Sequence, residues 1–301
     1  MSAGAIAEPV TPADLGRTGG PASLAWRRFR GNRLAMVGLA TLTFAVVIVV
    51  LAPITAPHDP LAIDTKAFGK PPSSVHLLGT DGSGRDVLSR LIWGGRISLT
   101  VGLGAVALYL LIGTTIGAVS GYRGGRVGAG LMRLTDLFLA LPTLLVLIAL
   151  VPLLGRSVFN IVLVLGLFGW PFVARLVRGE ILSLRERDFV TAARVMGATP
   201  RRIVVGHLLP NVASPLVVVA TFGVAEAIIA ESGLSLLGLG IQAPDASWGQ
   251  MLQGAIDLSV LLAKPWIWMA PGAALAITVL AVNFIGDGLR DALDPSASTL
   301  R

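Results

Sequence analysis

The chain contains no cysteine, which excludes disulfides, thiol catalysis and cysteine-ligated metals. Charge is scarce too: 14% of the 301 residues are Asp, Glu, Lys or Arg, whereas 54% are hydrophobic. A soluble protein averages about 25% charged residues and could not hide so much apolar surface, so the composition points to an integral membrane protein. Lysine occurs only at Lys66, Lys70 and Lys264, so arginine carries almost all of the formal charge of +7. No phosphate-binding GxxxxGK motif followed by Ser or Thr is present; the Gly69–Lys70 pair runs into Pro71. The chain is therefore not expected to hydrolyse ATP by itself. His58, His76 and His207 lie far apart in the sequence and no HExxH pair exists, so no metal chemistry is expected.

What is present is a series of apolar runs. Six approach the ~20 residues needed to cross a bilayer, at about 34–54, 97–120, 131–154, 158–176, 213–230 and 266–285. The second contains Gly102, Gly104, Gly113 and Gly117, small residues that membrane helices use for close backbone approach. Pro142 and Pro171 are expected to kink their spans. With both termini in the cytoplasm, 17 of the 24 basic residues fall on the inside, from Arg17 to Arg301, as the positive-inside rule requires. The first ~25 residues, rich in Ala, Gly, Pro and Thr, read as a disordered tail ahead of a membrane domain over 26–301. The first span reads as an anchor and not a signal peptide, because its basic lead-in is long and Pro57 follows Ala56.

Reactive groups inside the spans are few. Asp136 and Glu226 are the acids expected at membrane depth. A charge near the bilayer centre costs about 2.5–3.5 kcal/mol on insertion scales, so each should face a helix interface, a water-filled path or a span end. The DGSGRD stretch from Asp81 lacks the sixth-position Gly and distal Glu of a calcium loop, and reads as a turn into a short surface helix.

One basic segment stands out, TAARVMGATPRRIVVGHLLPN from Thr191. Gly197 suits a left-handed helix end, Thr199 an N-cap and Pro200 the first helical position, with Pro210 stopping the second helix. Two short helices with Arg194, Arg201 and Arg202 at the bend would suit either a DNA groove or a socket on a partner protein.

This segment resembles the EAA loop of ABC-importer membrane subunits, roughly E-A-A, three residues, G, nine residues, then I-x-L-P. Thr191 replaces the Glu, Ala192, Ala193, Gly197, Leu209 and Pro210 match, and His207 takes the Ile position. Further blocks are similar to the dipeptide/oligopeptide importer permeases of the DppC/OppC family: HLLGTDGSGRDVLSRLIWGGRISLTVGL from His76 and DLFLALPTLLVLIAL from Asp136. ESGLSLLGLGIQAPDASWGQML from Glu231 and GDGLRDALDP from Gly286 complete the set.

The resemblance implies an all-α, six-span type I importer permease. It would work with a homologous second permease, two ATPase subunits or domains that bind ATP and Mg, and an extracytoplasmic binding protein. No cofactor would be held by this chain. Substrates implied are di- and oligopeptides, with nickel chelates, glutathione or haem as alternatives. The loop over 187–210 would couple to the ATPase through Thr191, Ala192, Ala193, Arg194, Gly197, Ala198, Thr199, Pro200, Arg201 and Pro210. Asp136, Glu226, Glu231 and Trp248 are the residues expected on the pathway or an outer gate formed by the outside loops over 57–96 and 231–264. Trp248, Trp266 and Trp268 would serve either as gate or as interfacial anchors. A membrane-tethered DNA-binding regulator fits less well, because a helix pinned at the headgroups has little freedom to enter a groove. A secondary carrier would need intramembrane ion-coupling residues and internal repeats, and neither is seen.

Overall fold

The computed structural model describes residues 21–293, whose regular secondary structure is helical, with one isolated antiparallel bridge between Thr80 and Asp86. Helix α1 (Pro21–Gly31) begins inside the stretch expected to be a tail. The rest of that tail, with Arg17, and Arg301 at the other end, lie outside the described residues. Asn32 then caps α2 (Arg33–Val50), its side-chain oxygen accepting the Ala35 N–H at 3.1 Å. A single turn, α3 (Ala52–Thr55), follows.

Helix α4 (Val87–Arg123) starts well before its apolar window, because Asp86 Oδ2 accepts the Ser89 N–H at 2.8 Å and caps it. The 81–86 turn thus opens a helix of 37 residues and not a short surface helix. The third apolar run is not one continuous helix. Helices α5 (Gly125–Ala140) and α6 (Thr143–Leu154) meet at 83°. Leu141, before a proline, is extended at φ −81, ψ 128, and Pro142 offers no N–H to continue the ladder. Pro171, in contrast, sits buried within the unbroken α7 (Val158–Leu184).

Helix α8 (Asp188–Val195) is followed by α9 (Pro200–Ile203), a π turn over Val204–Leu208 and α10 (Leu209–Leu236). The expected stop at Pro210 does not occur. Leu209 N–H reaches back five residues to the Val204 carbonyl, and this wider turn absorbs the donor that Pro210 lacks. The helical path from Pro200 to Leu236 is continuous over 37 residues. The chain closes with α11 (Trp248–Gln253), α12 (Leu258–Ala263) and α13 (Trp266–Leu293). Among the described residues, five helices are long and apolar enough to cross a membrane, or six if the bent α5–α6 pair counts as one span.

The α4–α7 pair is the most extensive in the bundle, and glycine makes it possible. A Cβ on Gly113 would lie 2.6 Å from Val173 Cβ, and one on Gly117 would lie 2.7 Å from both the Ala174 carbonyl and Val177 Cβ. Lipid tails supply no hydrophobic drive between helices, so this close van der Waals packing is what holds the seam. Helix α13 packs on α2 and α10 to complete the bundle. The long 51–86 segment and α11 gather at the N-terminal end of α4, and the α8–α9 hairpin at its C-terminal end.

Candidate functional site

Three places gather the residues expected to carry function. The first is the α8–α9 hairpin. Gly197 has φ +80, its N–H donates to the Arg194 carbonyl at 2.9 Å, and Ala198 N–H donates to Ala193 at 3.0 Å. This pair of bonds is a Schellman closure of α8. Thr199 Oγ1 then accepts the Arg202 N–H at 3.4 Å and starts α9, with Pro200 at its first position. The expected turn grammar is therefore observed. The two alanines part company: Ala193 is buried with Val190, Ile203 and Leu208 in the same core as Val177 and Ile181 of α7, whereas Ala192 is exposed. Thr191, Arg194, Arg201 and Pro210 are exposed, and Ala198 is half-buried. At the tip, Val195 is 84% and Met196 80% exposed.

The second place is a cavity of about 610 Å³ bounded by α4, the end of α5, α6, α7 and α10. Its wall is mostly apolar, with Phe168, Phe172 and Phe222, and Glu226 brings the carboxylate, facing the cavity together with Tyr109. Asp136 does not join it. Its Oδ1 pairs with Arg175 Nη2 at 2.6 Å and ties α5 to α7, both side chains being about half exposed.

The third is a buried joint at the other end of the bundle. Glu231 is fully buried on α10, and its Oε1 accepts from the Ser235 and Ser247 hydroxyls, each at 2.7 Å. The same serine oxygens accept backbone N–H groups, Ser235 from Ile241 and Ser247 from Gln250, both at 3.1 Å. Trp248 is buried beside it. Its backbone N–H reaches Ser98 Oγ at 3.2 Å and its indole N–H reaches the Leu91 carbonyl at 3.0 Å. Glu231 and Trp248 are thus brought together where α4, α10 and α11 meet, away from the wall that carries Glu226. Trp266 and Trp268 each donate to a carbonyl, of Thr80 at 3.3 Å and of Leu261 at 3.1 Å.

Sequence reasoning passed over several groups. Tyr109 was hidden in an apolar run. Arg90, 2% exposed, donates from Nη2 to Gln250 Oε1 at 2.9 Å, and its Nε lies 3.5 Å from Asp81. The arginine in GRDVLSR, one helical turn beyond the capping Asp86, was the available signal. His58 and His76 also come together, with ring centroids 4.9 Å apart.

Membrane-length helices around a cavity with a carboxylate in an apolar wall are an arrangement suited to a membrane transport protein. Residues 113–299, more than half of the chain, match the family model for the binding-protein-dependent transport system inner membrane component. Residues 20–72 match the N-terminal TM domain of oligopeptide transport permease C. A Brucella suis protein that carries the name of a peptide permease is 46% identical over 278 residues, 92% of each chain. The dipeptide transport system permease protein DppC of Bacillus subtilis is 43% identical over 90% of this chain and 84% of its own length. The oligopeptide permease OppC of the same organism is 41% identical over 89% and 87%. The chain belongs to the binding-protein-dependent transport inner-membrane family, among its DppC/OppC permeases, and is an inner-membrane protein.

Proposed function

We propose that the chain is one of two homologous permease subunits of a type I ATP-driven importer for di- and oligopeptides. An extracytoplasmic binding protein delivers the peptide, and two ATPase subunits or domains bind ATP and Mg. The names of its relatives support the peptide class. The arginine distribution supports a topology with the α8–α9 hairpin and both termini in the cytoplasm. In that frame α5–α6 is the third of six spans, broken at Pro142.

The observation that carries the coupling role is the hairpin itself. Its inner face is rooted in the α4–α7 core, its turn is closed by Gly197 and Thr199, and its tip offers Val195 and Met196 to solvent. A rigid element with an apolar tip and a basic rim suits a groove on a partner protein. ATP binding would close the partners, move the hairpin and reorient the spans. Glu226 is the pathway residue this reading favours, placed to attract the ammonium group of a passing peptide. Glu231 and Trp248 hold the outer ends of α4, α10 and α11 together, so they shape the gate without facing the peptide.

The test is a Met196→Cys substitution in the naturally cysteine-free chain, cross-linked in native membranes to single cysteines on the ATPases of the same transporter. A cross-link whose yield changes with ATP is expected. No cross-link to any ATPase, in a protein shown to be folded and inserted, would overturn the coupling role.

A further inference from the structure

The segment between α3 and α4 holds a cluster that the transport role does not use. His58 and His76 converge on Asp86, one donor atom from each lying within 4.8 Å of the others. Asp86 is almost wholly buried, with a side chain 1% exposed, and its two oxygens have separate tasks. Oδ2 caps α4 through the Ser89 N–H, while Oδ1 faces His76 Nδ1 at 2.9 Å and His58 Nδ1 at 3.7 Å. His58 Nδ1 is buried and has no hydrogen-bond partner, and the same holds for His76 Nε2. The backbone N–H of His58 donates to Ser89 Oγ at 3.0 Å, which fixes the loop against the first turn of α4.

We propose that His58, His76 and Asp86 form a binding site for one divalent transition-metal ion of the zinc class, clamping the 57–86 loop to the start of α4. Two neutral imidazoles and one carboxylate are a common zinc donor set, leaving a position for water. Two ligands at about 2.0–2.1 Å from one tetrahedral ion lie roughly 3.3 Å apart. The 2.9 and 3.7 Å separations from Asp86 Oδ1 bracket that value. An ion would also occupy the unpartnered His58 nitrogen and balance a buried carboxylate, both of which are costly as they stand. The outer partner is in place as well: Asp64 Oδ2 lies 3.7 Å from His76 Nε2, on the far side of the ring, where a carboxylate orients a metal-bound imidazole. An ion can enter through a cavity of about 450 Å³ that is lined by all four of these residues and by exposed Lys66.

The full chain, purified with a histidine-free tag and held in nanodiscs, is stripped with chelator, equilibrated with Zn²⁺, washed and assayed for zinc per protein. About one zinc per chain is expected. His58→Ala, on a ring about one-third exposed, should lose it without unfolding. Asp86→Asn should lose it too while still capping α4, because Asn is as good a cap as Asp. Asp64→Asn should bind about tenfold more weakly, as outer-partner losses do. His207→Ala, at the opposite end of the bundle, should keep the full equivalent. Co²⁺ added in place of Zn²⁺ should give the strong visible absorption of a low-coordinate site, lost in His58→Ala. Wild-type protein that binds no zinc overturns the proposal. So does zinc retained equally by the folded His58→Ala and Asp86→Asn chains, an adventitious ion only.

Discussion

Glu231 invites a substitution pair that separates hydrogen-bond geometry from charge. Its Oε1 receives two hydroxyls at 2.7 Å, and the backbone N–H donated to each serine oxygen holds that oxygen beside the carboxylate. Glu231→Ala leaves two buried donors unsatisfied, at about 1–3 kcal/mol each, and opens a void, so a loss of about 3–5 kcal/mol is expected. Glu231→Gln keeps a carbonyl oxygen with two lone pairs in the same place. Its amide group turns toward Ser232, whose hydroxyl can accept, so the expected loss is under about 1.5 kcal/mol. Equilibrium unfolding in mixed micelles reads the difference, and hydrogen exchange at the Gln250 amide, held by Ser247, reads it locally. A Gln variant as unstable as the Ala variant would show that the negative charge itself is needed and refute the acceptor argument. An Ala variant as stable as wild type would refute the burial argument altogether.

Other expectations follow from the same geometry. Gly117→Val should destabilise the bundle by at least about 1–3 kcal/mol, since the new carbon meets the Ala174 backbone; Gly179→Ala, with nothing within 4 Å, should be neutral or mildly stabilising in the same melt. Gly197→Ala forces a side chain into φ +80 and should cost about 1 kcal/mol locally, read as faster exchange of the Ala198 amide and lower transport at unchanged membrane abundance. Glu226→Gln should leave the unfolding midpoint in place and lower peptide uptake in vesicles; uptake equal to wild type would remove Glu226 from the pathway.

How much of this was legible in the sequence differs from element to element. The hairpin was, because its turn rests on local chemistry: only a residue at ease with φ > 0 closes α8, and Thr199 and Pro200 start a helix wherever they are placed. The apolar windows were legible too, although α4, α7, α10 and α13 run beyond them, since a helix ends at caps and not where hydropathy falls. The prolines are legible only in part. The bend expected at Pro142 occurs, whereas Pro171 is carried inside an unbroken helix and Pro210 follows a π turn without stopping its helix. Packing by neighbouring helices decides among these outcomes, and a single sequence does not contain it. The same holds for Glu226 and Glu231, five positions apart on one helix: one faces a cavity and the other a buried joint. His58 and His76 meet only because the loop folds back on Ser89 and Asp86.

The unbroken helical path from Pro200 to Leu236 has a mechanical meaning. Its 37 residues span about 55 Å, and on the proposed coupling they would act as a lever with the hairpin at one end, Glu226 along the shaft and the serine-held Glu231 as fulcrum. Swinging about that fulcrum by ~5°, the lever carries Pro200 through about 4 Å, a displacement set by the 1.5 Å rise per residue. The same swing moves the Glu226 wall by less than 1 Å, a gearing of roughly six to one. On the proposed coupling, motion at the tip would be converted into small repacking around the cavity, and softening the Glu231 joint would waste the stroke.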